Sequence, residues 1–281
     1  MKKLVNIGVI GCANIAQRFI IPTLLELSDN FNIIGIASRT KEKADSFLNK
    51  FGIKAFTHYE NLINEKQLDA IYIPLPNSLH AEWIERALNK NLHVLVEKSM
   101  ACNLADVERL NRMASDKNLV LVENFQFRFH KQLAVLKNIV SNGDIGELRC
   151  LRSSFGFPPF KDTEDIRYKK ELGGGALLDA GAYPLKITQI FLGQDIEVAS
   201  ANLWYDNKKN VDIWGGAYLR QKDGPLFAEV AFGFDNYYQC NLELWGSKGK
   251  IVANRIFTSP PGCKTEFVME DENGKEIISI E

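Results

Sequence analysis

The sequence lacks the features that mark several broad classes of protein. Its 34 lysines and arginines nearly balance 35 aspartates and glutamates, so there is no basic surface to grip nucleic acid or an anionic membrane. No apolar run approaches the roughly 18 residues of a membrane span. Only 9 prolines, with 46 % hydrophobic residues, exclude a disordered or low-complexity chain. We therefore expect a globular protein without nucleic-acid or membrane partners.

Cysteine is also scarce. The 5 cysteines are odd in number, scattered, and form no C-x-x-C pair, which excludes a disulfide framework and a zinc site, and the histidines have no metal-ligand spacing. At the N-terminus, Lys2 and Lys3 precede an apolar run that ends before Cys12, as in a lipoprotein signal. That run is short and is interrupted by Asn6 and Gly8, so we expect a cytoplasmic protein that binds no metal.

The first 123 residues alternate between short apolar runs and longer amphipathic ones. This pattern predicts a doubly wound α/β domain, in which helices connect the strands of a parallel sheet. The predicted strands, rich in valine and isoleucine, are residues 5–10, 33–38, 70–73, 93–96 and 120–122. The predicted helices are residues 15–27, 41–51, 79–89 and 104–116, the last capped by Asn103.

Beyond residue 123 the pattern changes, which predicts a second domain over residues 124–281. Helices are expected at 131–141 and 175–191, and strand signals at 147–157 and throughout the chain from residue 196. We expect an α+β domain with a large, mainly antiparallel open sheet. Even-numbered residues from Leu226 to Phe234 should pack against the helix that carries Ala180. The other face carries Trp214, Tyr218 and Trp245, and is either a subunit interface or a solvated surface.

A tight turn with a dinucleotide-binding pattern follows the first strand. Backbone N–H groups at the start of a helix point towards an anion, so a pyrophosphate could bind there without lysine. Gly11 supplies the turn, but Ala13 puts a methyl group where the backbone should approach phosphate. The turn by itself is equally consistent with a structural role.

The end of the second strand favours NADP over NAD. It carries Ser38 and Arg39 and lacks the acidic residue that binds the ribose hydroxyls of NAD. A hydroxyl and a guanidinium could instead hold a 2′-phosphate by charge-assisted hydrogen bonds. The alternative is that Arg39 is a solvated loop residue.

Four segments together carry a resemblance to a known family. They are G-C-A-N-I-A at 11–16, P-N-S-L-H at 76–80, V-L-V-E-K-S at 94–99 and E-L-G-G-G-A-L-L-D-A-G-A-Y-P-L at 171–185. With these segments, the sequence resembles the glucose-fructose oxidoreductase, inositol dehydrogenase and rhizopine-catabolism family along nearly its whole length. The resemblance implies a Rossmann domain, an α/β domain whose open sheet forms a homodimer or homotetramer, and nicotinamide-dependent chemistry on sugar-like alcohols or ketones.

The candidate cofactor-binding residues lie at the carboxyl ends of the predicted parallel strands, where open α/β sheets bind ligands. They are Gly11, Cys12, Ala13, Asn14, Ile15, Ser38, Arg39, Pro74, Leu75, Asn77, His80, Glu97 and Lys98.

The resemblance also implies catalytic residues. Lys98 matches the family lysine that stabilises developing charge on the reacting oxygen, although Ser99 replaces the proline of that motif. Asp179 and Tyr183 match the second signature, and its tyrosine form resembles nucleotide-sugar 3-ketoreductases and dihydrodiol dehydrogenases. We expect Tyr183 to donate the proton, with its pKa lowered by Lys98, and Asp179 to orient it.

Two arginines are candidate substrate ligands. Arg128 and Arg167 could bind substrate oxygens or a diphosphate, or could form structural ion pairs. The expected activity is hydride transfer between NADP and a sugar carbon, the sugar being nucleotide-linked. A dehydrogenase of free sugars, inositols or dihydrodiols, and a non-catalytic cofactor-binding regulator, remain alternatives.

Overall fold

The computed structural model describes residues 4–260 and 262–280 and divides into two compact units, Met1–Asn124 and Phe125–Glu281. Lys2 and Lys3 lie outside the described residues, whereas most of the apolar run that follows them forms the first strand. Among the described residues, no helix has the length and hydropathy needed to cross a membrane.

The N-terminal unit is a parallel sheet flanked by helices, as predicted, and it has six strands where the sequence predicted five. Its strand order is β3-β2-β1-β4-β5-β6, and every neighbouring pair is parallel. The strands are β1 (Val5–Ile10), β2 (Phe31–Ser38), β3 (Ala55–Thr57), β4 (Ala70–Ile73), β5 (His93–Glu97) and β6 (Leu121–Asn124). The helices are α1 (Ile21–Glu26), α2 (Lys41–Phe51), α3 (Tyr59–Ile63), α4 (Asn77–Asn89) and α5 (Leu104–Asp116).

Local signals explain where the main elements begin. Asn103 caps α5 by accepting a hydrogen bond from the Asp106 N–H at 2.9 Å, as predicted. Before α1, the helix is wound as a π segment over Ala16–Ile20, and Pro22 lies in the first turn of α1. Sequence reasoning missed β3 and α3, because 3 and 5 residues are too few for a periodic signal.

The C-terminal unit is an α+β fold around one large sheet. Its order is β14-β13-β12-β11-β7-β10-β9-β8, and only β7 and β10 pair in parallel among the described strands. The strands are β7 (Leu148–Gly156), β8 (Ile196–Asp206), β9 (Val211–Gln221), β10 (Phe227–Gly233), β11 (Gln239–Gly246), β12 (Gly249–Asn254), β13 (Thr265–Asp271) and β14 (Gly274–Ile280). The helices are α6 (Lys131–Asn142) and α7 (Ala182–Leu192), the latter preceded by a π segment over Leu177–Gly181.

One face of this sheet is covered by the π segment and α7, as the alternation in β10 predicts. Val230 and Phe232 are 5 % exposed, and a Cβ at Gly181 would lie 3.0 Å from the Phe232 ring. The absence of a side chain at position 181 therefore lets the helix lie directly on the sheet.

The other face of the sheet is aromatic and charged. Trp204 and Trp214 stack with ring centres 4.2 Å apart, and Tyr218 stacks on Phe227. Arg152 forms ion pairs with Glu229 at 2.7 Å and Glu243 at 3.0 Å, beside the ring of Trp245. We refer to Trp204, Trp214, Tyr218, Arg152 and Trp245 as the open face.

Candidate active site

The turn after β1 requires glycine at position 11. Gly11 has φ +109°, and its N–H donates to the Ala37 carbonyl at 2.8 Å. A Cβ at this position would lie 2.7 Å from Cδ2 of Leu75. The turn after β1 and the Pro74–Leu75 loop after β4 are therefore packed together, and both conformation and space exclude a side chain at Gly11.

The helix after this turn begins at Asn14, with Ile15 in its first turn. The carbonyl of Ala13 accepts a hydrogen bond from the Gln17 N–H at 3.1 Å. The turn residues between Gly11 and Ile15 thus occupy the position at which a helix start presents N–H groups to a phosphate. This arrangement fits a dinucleotide.

The ends of β1 and β2 are in contact through side chains. Burial raises the pKa of the Cys12 thiol, and a hydrogen bond with Ser38 opposes that shift. The Cys12 thiol also lies 3.6 Å from the Lys43 carbonyl. Ser38 is buried and Arg39 is exposed, so a hydroxyl and a cation adjoin the Gly11 turn at this edge of the sheet.

Tyr59 belongs to the same edge, and sequence reasoning missed it. Burial raises the pKa of its phenol, while Arg39 lowers it by charge and by a hydrogen bond. Tyr59 follows the short strand β3, which carried no sequence signal, so its proximity to Arg39 could be learned only from the fold.

The segment that carries Lys98 is anchored by buried hydrogen bonds. The carboxylate of Glu97 accepts from the Tyr72 hydroxyl and from the Asn124 amide, both at 2.7 Å. Burial and then the charge of Glu97 raise the pKa of Tyr72, so the phenol stays protonated and donates. The Lys98–Ser99 peptide bond is cis.

His80 lies in the first turns of α4 and is fully buried. Its two ring nitrogens contact two backbone carbonyls, that of Leu75 after β4 and that of Ser99 after β5, each at 2.7 Å. Asn77 begins α4 at the same edge. All thirteen predicted cofactor residues therefore lie at the ends of the neighbouring strands β2, β1, β4 and β5 or on the loops and helices that follow them.

In the C-terminal unit, Tyr183 lies in a cage of phenylalanine rings. Its ring centre is 4.9 Å from Phe155, 5.4 Å from Phe257, 5.7 Å from Phe125 and 6.0 Å from Phe127. Tyr183 is 6 % exposed. These rings fix the direction of the phenol and exclude water from its ring.

Asp179 is held by an arginine from the preceding loop. Arg167 Nε donates to Asp179 Oδ2 at 2.9 Å, and Arg167 Nη1 lies 3.2 Å from Asp165 Oδ1. Burial disfavours the charge of Arg167, but the two aspartates outweigh it and raise its pKa. The sequence left two roles open for Arg167, substrate ligand or partner in a structural ion pair. In the structure it forms the ion pair. Arg128 lies exposed in a short 3-10 turn, Gln126–Phe129.

Asp212 anchors the helix that carries Asp179 and Tyr183, and nothing in the sequence singled it out. It lies on β9, and its carboxylate accepts a hydrogen bond from the Leu177 N–H at 2.6 Å. Gly175, at φ +113°, leaves the space that this carboxylate occupies. In the part of the chain that the structure describes, no three His, Cys, Asp or Glu side chains cluster as metal ligands would.

Comparison with known proteins agrees with this geometry. The profile of an oxidoreductase family with an NAD-binding Rossmann fold, GFO/IDH/MocA, matches residues 5–125, and the profile of the GFO/IDH/MocA C-terminal domain matches residues 133–252. The chain belongs to the GFO/IDH/MocA oxidoreductase family. The family predicted from the four sequence segments, and the fold it implies, are confirmed.

Within the GFO/IDH/MocA family, the chain is similar to a sugar reductase over its whole length and to a dihydrodiol dehydrogenase over part of it. It is 41 % identical to a dTDP-3,4-didehydro-2,6-dideoxy-alpha-D-glucose 3-reductase from Saccharopolyspora spinosa, covering 100 % of this chain and 83 % of that relative. It is 31 % identical to a trans-1,2-dihydrobenzene-1,2-diol dehydrogenase from Xenopus tropicalis, covering 69 % of this chain and 59 % of that relative.

Among solved structures, a 3-ketoreductase from Actinomadura kijaniata in complex with NADP and TDP-benzene superposes with a TM-score of 0.94. It is 38 % identical and covers 99 % of this chain and 85 % of its own. Variants of that enzyme with a tyrosine replaced by phenylalanine, or a lysine replaced by alanine or glutamate, have been solved in the same complex.

Proposed function

We propose that this chain is an NADPH-dependent ketoreductase that acts on the 3-keto group of a nucleotide-linked deoxysugar. The observation that carries the proposal is the similarity over essentially the full chain to a dTDP-sugar 3-reductase and to a 3-ketoreductase bound to NADP and a TDP compound. The residues that such a reaction needs, Lys98, Asp179 and Tyr183, are all present.

The N-terminal unit supports the choice of NADP. The strand ends provide a glycine turn at a helix start, the buried hydroxyl of Ser38 and the exposed guanidinium of Arg39. Ser38 and Arg39 suit a 2′-phosphate, and no carboxylate stands on β2 to repel it. NADPH should therefore bind far more tightly than NADH, and a titration that gave equal affinities would exclude this assignment.

Three residues have proposed roles in the reduction. When bound, NADPH supplies the hydride that forms the new C–H bond at the keto carbon. The ammonium of Lys98 donates a hydrogen bond to the keto oxygen and stabilises the negative charge that develops there. The phenol of Tyr183 donates the proton that turns this oxygen into a hydroxyl, and its phenolate then takes up a proton from solvent. Asp179, held by Arg167, orients the helix face that carries Tyr183.

Two arginines have different proposed roles. Arg128 is exposed and remains a candidate for the substrate diphosphate. Arg167 is already paired with Asp165 and Asp179, so we assign it to holding Asp179.

The C-terminal sheet is the proposed site of self-association. Its open face combines partly exposed aromatic rings with an arginine paired to two glutamates, a mixture suited to a protein interface. We propose a homodimer or homotetramer through this face.

All five cysteines are free thiols, which supports a cytoplasmic location.

The deciding experiment measures NADPH consumption with a panel of ketones. We expect turnover with a TDP-linked 3-keto-2,6-dideoxysugar, and little with the same sugar lacking the nucleotide. The variant Lys98→Met should lose far more turnover than NADPH affinity. Absence of NADPH consumption with every nucleotide-linked ketone would refute the proposal.

The dihydrodiol dehydrogenase relative supports a second candidate function, oxidation of dihydrodiols or free sugars with NADP⁺. Its similarity covers a smaller part of the chain, so we rank it second. Formation of NADPH from trans-dihydrodiols, xylose or inositol, in the absence of activity on nucleotide sugars, would favour it. Binding of NADPH without turnover on any substrate would favour a regulatory role.

A further inference from the structure

The backbone around Lys98 is held from both sides by side chains of other elements. On the N-terminal side, Tyr72 on β4 and Asn124 on β6 bind the carboxylate of Glu97. On the C-terminal side, the peptide group that joins Ser99 to Met100 is bound at both of its polar atoms. His80 Nδ1 contacts the Ser99 oxygen at 2.7 Å, and the Met100 N–H donates to Glu123 Oε1 at 2.8 Å.

The second contact of His80 reaches a different loop. Its Nε2 lies 2.7 Å from the Leu75 oxygen, and Leu75 packs against the Gly11 turn. The imidazole is 0 % exposed, and both of its nitrogens are directed at protein oxygens. His80 therefore joins the loop after β4 to the loop after β5 through one rigid ring, which differs from direct contact with a cofactor.

We propose that His80 is a positioning residue for the reaction, acting on Lys98 through the carbonyl of Ser99. The proposal rests on the proposed function, in which Lys98 stabilises the reacting oxygen. Because the Ser99–Met100 peptide is planar, binding its oxygen to His80 and its N–H to Glu123 fixes the backbone next to the position from which the Lys98 side chain projects. A displacement of about 1 Å at a reacting group can cost a hundredfold in rate.

The chemistry of the contact sets the requirements for a test. Carbonyl oxygens only accept hydrogen bonds, and a neutral imidazole has one N–H to donate. Burial lowers the pKa of His80 and outweighs the contacts with the Ser99 and Leu75 carbonyls, which raise it; the charge of Lys98 lowers it further, and the neutral ring is favoured. The proposal requires that the hydrogen bond from His80 to the Ser99 carbonyl, and not the contact with Leu75, fixes the position of Lys98.

Two amide variants separate the contacts. The amide nitrogen of His80→Asn can occupy the Nδ1 position and keep the bond to Ser99, whereas that of His80→Gln can occupy the Nε2 position and keep the bond to Leu75. We expect His80→Gln to lower kcat by roughly tenfold or more, and His80→Asn to stay within about threefold of the wild type. The dissociation constant for NADPH should change little in His80→Gln. Equal losses of kcat, or a greater loss in His80→Asn, would overturn the proposal.

Glu123 provides a second pair if the histidine variants do not fold. Glu123→Gln keeps an oxygen that can accept from the Met100 N–H, and Glu123→Leu does not. We expect Glu123→Leu to lower kcat without weakening NADPH binding, and Glu123→Gln to restore most of the loss. The exposed Glu108→Leu on α5 is the control for removal of a carboxylate. An unaffected kcat in Glu123→Leu would contradict the proposal.

A readout without substrate keeps this proposal distinct from the proposed function. Reductive methylation with ¹³C-formaldehyde labels the amine of Lys98, and its resonance is assigned by its loss in Lys98→Met. We expect this resonance to shift in His80→Gln and to stay in place in His80→Asn. If the enzyme is inactive on every ketone but shows this shift, the proposed function is refuted and the role of His80 in positioning Lys98 stands. If the enzyme is active and the shift is absent, the proposed function stands and the role of His80 is refuted.

Discussion

At Tyr183, packing fixes the direction of the phenol that we propose as the proton donor. The surrounding phenylalanines, Phe125, Phe127, Phe155 and Phe257, hold the ring whether or not the hydroxyl is present. Removal of the hydroxyl should therefore change the chemistry and leave the fold intact, which makes the position suitable for a clean substitution.

We expect Tyr183→Phe to lower kcat by about a hundredfold or more, because a positioned proton donor typically contributes that much. NADPH affinity should remain within about twofold, since the ring and its packing stay in place. Steady-state kinetics and a fluorescence titration of NADPH measure the two quantities. An unchanged kcat would remove Tyr183 from the reaction.

Arg167 permits a test between positioning and substrate binding. Arg167→Met removes the partner of Asp179, so we expect kcat to fall by about tenfold while the KM for the nucleotide sugar changes little. Asp165→Asn is the matched control, because it removes the other partner and leaves the 2.9 Å contact with Asp179. A large rise in KM with constant kcat would instead make Arg167 a ligand of the substrate.

At the scale of elements, three strand ends are joined at one carboxylate. Tyr72 on β4, Glu97 on β5 and Asn124 on β6 form a buried group at the edge of the sheet, next to Lys98. The register of β4, β5 and β6 places Tyr72 and Asn124 beside the Glu97 carboxylate, and these hydrogen bonds hold the segment that carries Lys98.

We expect Tyr72→Phe to lower the free energy of unfolding by about 1–3 kcal/mol, because Glu97 loses a buried hydrogen bond to a charged acceptor. Urea denaturation of the full chain measures the change. Tyr205→Phe, at a half-exposed tyrosine on β8, should change stability by less than about 0.5 kcal/mol. Equal stability of the two variants would mean that the Tyr72 bond contributes nothing.

His80 should give stability a dependence on pH. Burial lowers its pKa in the folded chain below the ordinary value of 6.5, so the unfolded chain takes up a proton that the folded chain does not. The free energy of unfolding should therefore fall as the pH decreases below 6.5, by at most about 1.4 kcal/mol per pH unit, until the folded pKa is reached. The difference between wild type and His80→Asn, measured by urea denaturation across this range, isolates the histidine. A pH-independent difference would contradict the shift.

At the scale of the whole molecule, the open face should govern self-association. We expect light scattering to give a dimer or tetramer, and Tyr218→Lys to shift it towards the monomer, because a buried ammonium would be desolvated. Leu104→Lys, at an exposed leucine of the N-terminal unit, should leave the assembly unchanged. A monomeric wild type, or an assembly insensitive to Tyr218→Lys, would place the interface elsewhere.

Much of the architecture followed from periodicity. The apolar runs predicted β1 and β4 to the residue, and the cap at Asn103 located the start of α5. The glycine run before the π segment of the C-terminal unit and the motif around Lys98 led to the predicted catalytic residues, which stay predictions. Short elements such as β3 were missed because a few residues cannot display a period.

The sequence by itself determined which residues stand at strand ends and helix starts, because those positions follow from local pattern along the chain. Only the tertiary structure decided that Tyr72, Asn124, His80 and Glu123 hold the backbone on either side of Lys98, and that Arg167 holds Asp179. Many of these contacts join residues far apart in the chain. They arise from strand order, register and packing, which no local pattern of side chains encodes.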